Sequence, residues 1–187
     1  MGIVRVYFSS PIIHDPEAKE ILVEYKEYAK ANLGVNLLTG LDHTLTDKEL
    51  LGQTSPEARA RVLFAARKAV MDKCQAVIAD IAPFLGPGVA TDTAWEIGYA
   101  HGTKKPIVCY TEVTMPLVQR MKGALGCLSG PDAHYSNFGL IEAMTVICST
   151  DRNVLATFQK AVKYARHVWF TQEPRDNVVG KINKGEG

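Results

Sequence analysis

The chain has 187 residues and a net charge of +1, which suits a single domain and leaves no basic footprint for nucleic acid or a membrane surface. Hydrophobic residues make up 47% and charged residues 22%, enough to bury a full core and better matched to a small, mildly polar ligand than to a polyanion. No apolar run approaches the roughly 18 residues of a membrane span, and the start, MGIVRVYFSSP, lacks a signal-peptide cleavage pattern, so a cytoplasmic location is expected.

The first element is Ile3 to Phe8, short, apolar and β-branched, ending at Ser9-Ser10-Pro11; it reads as a buried strand. Asp15-Pro16 then predicts a helix start, with Asp15 as N-cap. Apolar residues at Ile21, Leu22, Tyr25, Tyr28 and Ala29 keep helical spacing, and Gly34 ends the run. Val35 to Leu38 predicts a second strand, and 39–54 is polar, with a short helical turn at Asp47–Leu51. Ser55-Pro56-Glu57 opens a helix to about Lys73. Gln75 to Ile81 predicts the third strand, Pro83 to Thr91 a loop with two prolines and two glycines, and Asp92 to His101 a helix. Pro106 to Tyr110 predicts a fourth strand, 114–126 a helix, 127–139 a loop, 144–148 a fifth strand and 152–166 a last helix. Residues 1–170 form the expected domain and 171–187 a polar tail.

Strands alternating with helices predict right-handed parallel β-α-β units. Five strands in this pattern imply a doubly wound α/β sheet of flavodoxin-like order 2-1-3-4-5, with helices on both faces. Ligands bind such sheets at the carboxyl ends of the strands, at the switch point between strands 1 and 3. The loops after Phe8 and after Ile81 are therefore the expected pocket. Of the four cysteines none is paired as CxxC; Cys74, Cys109 and Cys148 lie in apolar runs and read as reduced core thiols. With no metal-ligand cluster and no dinucleotide fingerprint, neither metal nor organic cofactor is expected.

The richest segment is the loop PFLGPGVAT at 83–91 running into TDTAWEIGYA. Glu96 reads two ways. Thr93-x-x-Glu96 has the spacing of a capping box, in which glutamate ties down a helix start. A carboxylate in the first turn of a helix is also favoured in its ionised form by the helix dipole, and an ionised, positioned carboxylate can attack an anomeric carbon. Trp95 and Tyr99, four apart on one helix face, read first as core. Asp92 reads as an N-terminal helix carboxylate, and Asp80 as either a turn-stabilising group or a contact to a ligand hydroxyl. Ser9 and Ser10 suit a turn or a sugar or phosphate contact, His14 a loop or base contact, and His101 a helix end.

Four blocks in order change the weighting. VYFSSP at 6–11, CQAVIADIAPF at 74–84, TAWEIGYA at 93–100 followed by KPIV at 105–108, and NFGLIEAM at 137–144 resemble the nucleoside 2-deoxyribosyltransferase family, whose helix reads GTAFEIGYA. The resemblance implies transfer of 2-deoxyribose between nucleobases through a covalent glycosyl-glutamate, with Glu96 as nucleophile and Tyr7 orienting it. Asp92 is then placed to assist protonation of the base. Phe8, Ser9, Ser10, Pro11, Asp80, Phe84, Gly86 and Trp95 are the expected substrate contacts. The implied partners are a nucleoside and a free nucleobase, and, because the family shares residues across subunits, a homo-oligomer. The chain departs from the family pattern at four places: Ala90 and Arg67 stand where aspartates are expected, Asp92 replaces a glycine, and Ala143 replaces an asparagine. These departures keep open two alternatives, an N-glycoside hydrolase of nucleosides or their 5′-monophosphates, and a binding protein without turnover.

Overall fold

Val6, Tyr7, Phe8 and the Ala76–Ala79 run are buried on both faces, as the centre of a parallel sheet requires. The structure is a computed structural model that describes residues 4–113, 115, 120, 146–148 and 153–171. Five parallel strands, β1 (Arg5–Ser9), β2 (Asn36–Leu38), β3 (Ala76–Asp80), β4 (Ile107–Thr111) and β5 (Val146–Cys148), lie in the order β2-β1-β3-β4-β5. This is the order expected from the strand count and the alternation with helices.

Five helices with described bounds accompany the sheet among the described residues: α1 (Ala18–Leu33), α2 (Asp47–Leu51), α3 (Pro56–Asp72), α4 (Thr91–Gly102) and α5 (Val154–Thr171). Residue alternation along β1 sends successive side chains to opposite faces. Val6 and Phe8 join Leu22, Tyr25 and Ala29 of α1 and Phe158, Ala161 and Val162 of α5. Tyr7 joins Val77 and Ala79 with Val70 and Met71 of α3 and Ile97 and Ala100 of α4. The sheet thus divides two apolar cores, and the β1 residues facing α3 and α4 are Tyr7 and, two positions on, Ser9. Cys74 and Cys109 are buried free thiols, and burial pushes them up to about 11 and about 12.

Several local signals form as their chemistry predicts. Ser55 caps α3 by accepting from the Ala58 N–H at 3.2 Å, and Thr46 with Glu49 forms a capping box on α2. Gly34 ends α1 in the left-handed conformation, φ 67°, which glycine adopts without a Cβ clash.

The start of α1 differs from expectation. Asp15 does not cap it; Ser10-Pro11 starts a 3-10 turn, Pro11–His14, and Asp15 accepts from the Glu17 N–H at 2.8 Å within the turn that follows. The helix begins at Ala18, displaced because the 3-10 turn uses the preceding residues. The last helix runs past the expected 166, to Thr171. The expected helix at 114–126, apart from two of its residues, the loop at 127–139, Cys127 and the tail after 171 lie outside the described residues. Among the described residues no helix is long and apolar enough to cross a membrane.

Candidate active site

The site lies at the carboxyl ends of β1 and β3, where the chain leaves the sheet in opposite directions, as the strand order requires. Glu96 reaches it from the second turn of α4. That helix starts at Thr91 with Ala90 as a cap that makes no side-chain hydrogen bond, so Thr93 and Glu96 do not form a capping box. Glu96 instead turns its side chain to β1. Tyr7 Oη donates to Glu96 Oε1 at 2.5 Å, and Ser9 Oγ donates to Glu96 Oε2. Each carboxylate oxygen is oriented by a separate hydroxyl, both from one face of one strand.

Glu96 is 3% exposed. Burial raises its pKa above the usual carboxylate range, because desolvation penalises charge; the Ser9 and Tyr7 hydrogen bonds and the nearby Arg67 cation oppose the rise, and Asp92 adds to it. Burial and then Glu96 push the Tyr7 phenol upward as well, so it stays a protonated donor. The result is a carboxylate shielded from bulk water, with its acceptor geometry fixed.

Glu96 forms part of the wall of a cavity of about 330 Å³. The rest comes from one face of α3 (Ala60, Leu63, Phe64 and Arg67) and from Asp92 and Trp95 of α4. Arg67 Nη1 donates to Asp92 Oδ2 at 2.9 Å, and His14 Nε2 lies 3.5 Å from the same oxygen. His14 also stacks on Phe84, with ring centroids 5.5 Å apart. On the far side of Asp92 a wider cleft of about 740 Å³ is lined by His14, Phe84, Leu85, Val89, Ala90 and Thr91. Asp92 therefore divides an aromatic compartment holding Glu96 from an open one beside the 83–91 loop.

The expected site residues separate into groups. Tyr7, Ser9 and Glu96 are bonded together, and Asp92 and Trp95 line the same cavity as Glu96. Phe84 lines the adjoining cleft. Pro11 opens the 3-10 turn, and Gly86 is exposed near the tip of its loop beside Leu85. Ser10 donates to Asp80 at 3.1 Å, and Asp80 accepts from the Ala82 N–H at 3.0 Å, so these two hold the strand ends rather than line either compartment. Burial pushes Asp80 up to about 6.

Two readings need correction. Phe8 is not at the pocket: it is fully buried on the opposite sheet face, 5.3 Å from the Tyr25 ring and 5.1 Å from that of Phe158, because strand alternation turns it away from Tyr7. Trp95 is not core: it is 37% exposed, stacked on Tyr99 and edge-on to Phe64 at 4.6 Å. Phe64 was missed altogether. Its signal was present, since Ala60, Phe64 and Arg67 share a helix face by their spacing, and an arginine closing an apolar stripe is unusual for a core. The Asn137–Met144 segment with Ala143 lies outside the described residues.

Comparisons with known proteins bear on the fold and the family. The fold is similar to that of a 2-desoxiribosyltransferase from Leishmania mexicana, at 21% identity and a TM-score of 0.57, covering 86% of this chain and 97% of that one. Two further structures, each at a TM-score of 0.45, are a 2-deoxyribosyltransferase from Bacillus psychrosaccharolyticus (20% identity, 60% of this chain and 75% of that one) and a conserved protein from Enterococcus faecalis V583 (12% identity, 98% and 99%). No functionally curated protein matches the sequence. The family model described as "Nucleoside 2-deoxyribosyltransferase" matches residues 6–145, a stretch that begins in β1 before Tyr7 and contains every residue of the Glu96 cavity, and on that match the chain belongs to the nucleoside 2-deoxyribosyltransferase family.

Proposed function

We propose that this chain transfers 2-deoxyribose between nucleobases, with Glu96 as the nucleophile, in nucleoside salvage in the cytoplasm. The observation that carries the reading is the buried Glu96 carboxylate, held by Tyr7 and Ser9 at the wall of a cavity large enough for a nucleobase. One carboxylate oxygen attacks C1′ of the bound deoxynucleoside as the C1′–N bond breaks, and its electron pair leaves on the base nitrogen. The departing base takes a proton from water, which Asp92 orders through Oδ1, its Oδ2 being engaged by Arg67. The sugar remains as a glycosyl ester of Glu96. A second base attacks C1′ from the opposite face, gives its proton to the hydroxide left when the first base was protonated, and frees the carboxylate. Two inversions restore the original configuration.

Tyr7 and Ser9 orient Glu96 for in-line attack and take up their full hydrogen bonds again when the ester is cleaved. Family membership also motivates a homo-oligomer.

The test is incubation with a deoxynucleoside, with and without a second free base, both followed by chromatography. Exchange that depends on the second base is expected. Base release that does not depend on it would make the chain a hydrolase, and binding without turnover would make it a sensor. Glu96→Ala is expected to lower exchange by roughly a thousandfold or more. Exchange at the parent rate in that variant would end the assignment.

A further inference from the structure

Arg67 has hydrogen-bonding capacity left over in the cavity it shares with Glu96. A guanidinium carries five N–H donors. Nη1 donates to Asp92, while the buried Nε has no partner among the described residues. Gly40 makes room for this arrangement, since a Cβ there would lie 3.3 Å from Arg67 Nε and 3.3 Å from Tyr7 Oη. Arg67 is half-buried, and a donor buried without a partner costs free energy and calls for an acceptor from elsewhere. Asp92 fixes the guanidinium so that its remaining donors are pre-arranged.

The walls around Arg67 select the shape of that acceptor. Phe64 and Trp95 present two aromatic surfaces at 61° to one another, and both are partly exposed. A planar heteroaromatic ring stacks on such surfaces and brings its edge to the cation. The arginine fork fits two acceptors side by side, and O6 with N7 of a 6-oxopurine is the pair that arginine takes most often. Adenine offers N7 beside an amino donor, which would face the guanidinium donors. Cytosine carries adjacent acceptors on a smaller ring, with less area to stack on Phe64 and Trp95.

We propose that Arg67 is the residue that selects the base, and that the cavity takes a 6-oxopurine, hypoxanthine or guanine, in preference to adenine. The inference rests on the nucleoside reading of the site and adds the base to it.

Calorimetric titration of the full chain with hypoxanthine and with adenine tests it. Hypoxanthine is expected to bind about tenfold tighter or more. Arg67→Ala should bring the two affinities together by weakening hypoxanthine alone, and Arg67→Lys, which keeps the charge and loses the fork, should also erase most of the preference. Thermal unfolding identifies whichever variant stays folded. Equal affinities in the parent chain, a preference that survives both substitutions, tighter binding of cytosine, or no binding of either purine at millimolar concentration would each overturn the proposal. Displacement of hypoxanthine by inorganic phosphate would overturn it as well, because Arg67 would then be an anion site. Free bases bind without turnover, so lack of exchange would remove the glycosidic assignment and leave base selection standing.

Discussion

At the scale of single residues, Glu96 carries charge where burial opposes it, and the two hydroxyls on β1 work against that penalty. Removing either donor takes away a hydrogen bond that favours the charged form, so the pKa should rise further. Ser9→Ala and Tyr7→Phe are therefore expected to move the acidic limb of the kcat/KM profile to higher pH and to lower the plateau. A limb that stays in place would mean these hydroxyls do not govern the ionisation. Asp80 makes a separate prediction about stability. Its folded pKa, about 6, lies above the 3.8 of the free group, so the folded chain holds a proton that the unfolded chain has released. Its contribution is fully present below about pH 4 and is lost as pH rises towards about 6. Asp80→Asn keeps an acceptor for the Ala82 N–H and a donor for Ser10 but cannot ionise. Urea unfolding should show the variant gaining on the parent chain as pH passes from about 4 to about 6, with no further gain well above that.

At the scale of elements, α3 supplies four of the residues lining the cavity and α4 three, and the two helices begin differently. Ser55 caps α3 through its hydroxyl, whereas Ala90 at the start of α4 has no side chain able to do so. Ser55→Ala is expected to cost about 1 kcal/mol, which lowers Tm by roughly 2–4 °C in a chain of this size. Calorimetric unfolding checks it. The capping-box spacing at Thr93 and Glu96 was a true pattern with no structural use, because α4 had already started at Thr91 and Glu96 found better partners on β1. By contrast, the same kind of signal at Thr46 and Glu49 formed a capping box, in a short exposed helix with no competing partner. Burial decides between these outcomes: a polar group that becomes buried goes to the donors the tertiary fold provides.

At the scale of the whole molecule, the sheet separates an aromatic core on one face from the face that holds Glu96. Phe158 packs with Phe8, Tyr25 and Tyr110 on the α1 and α5 side, away from Glu96. Phe158→Ala is expected to cost about 3–5 kcal/mol of stability, seen as a lower denaturant midpoint. Turnover per folded molecule should stay near the parent value, since no Glu96 contact is touched. A large loss of kcat in the folded variant would show that the two faces are coupled.

The sequence by itself determined the alternation of strands and helices, hence the parallel sheet and its strand order. These follow from local periodicity, turn chemistry and a crossover rule that leaves few topologies. Its ordered blocks also singled out Glu96 and Tyr7. Only the tertiary structure decided which β1 side chains face the site, so that Ser9 serves Glu96 while Phe8 enters the core. It also exposed Trp95 beside Phe64, and it closed the Arg67–Asp92 pair across 25 residues and the Tyr7–Glu96 pair across 89. Contacts that distant depend on how helices settle onto the sheet, and no pattern within a turn or two of chain records that.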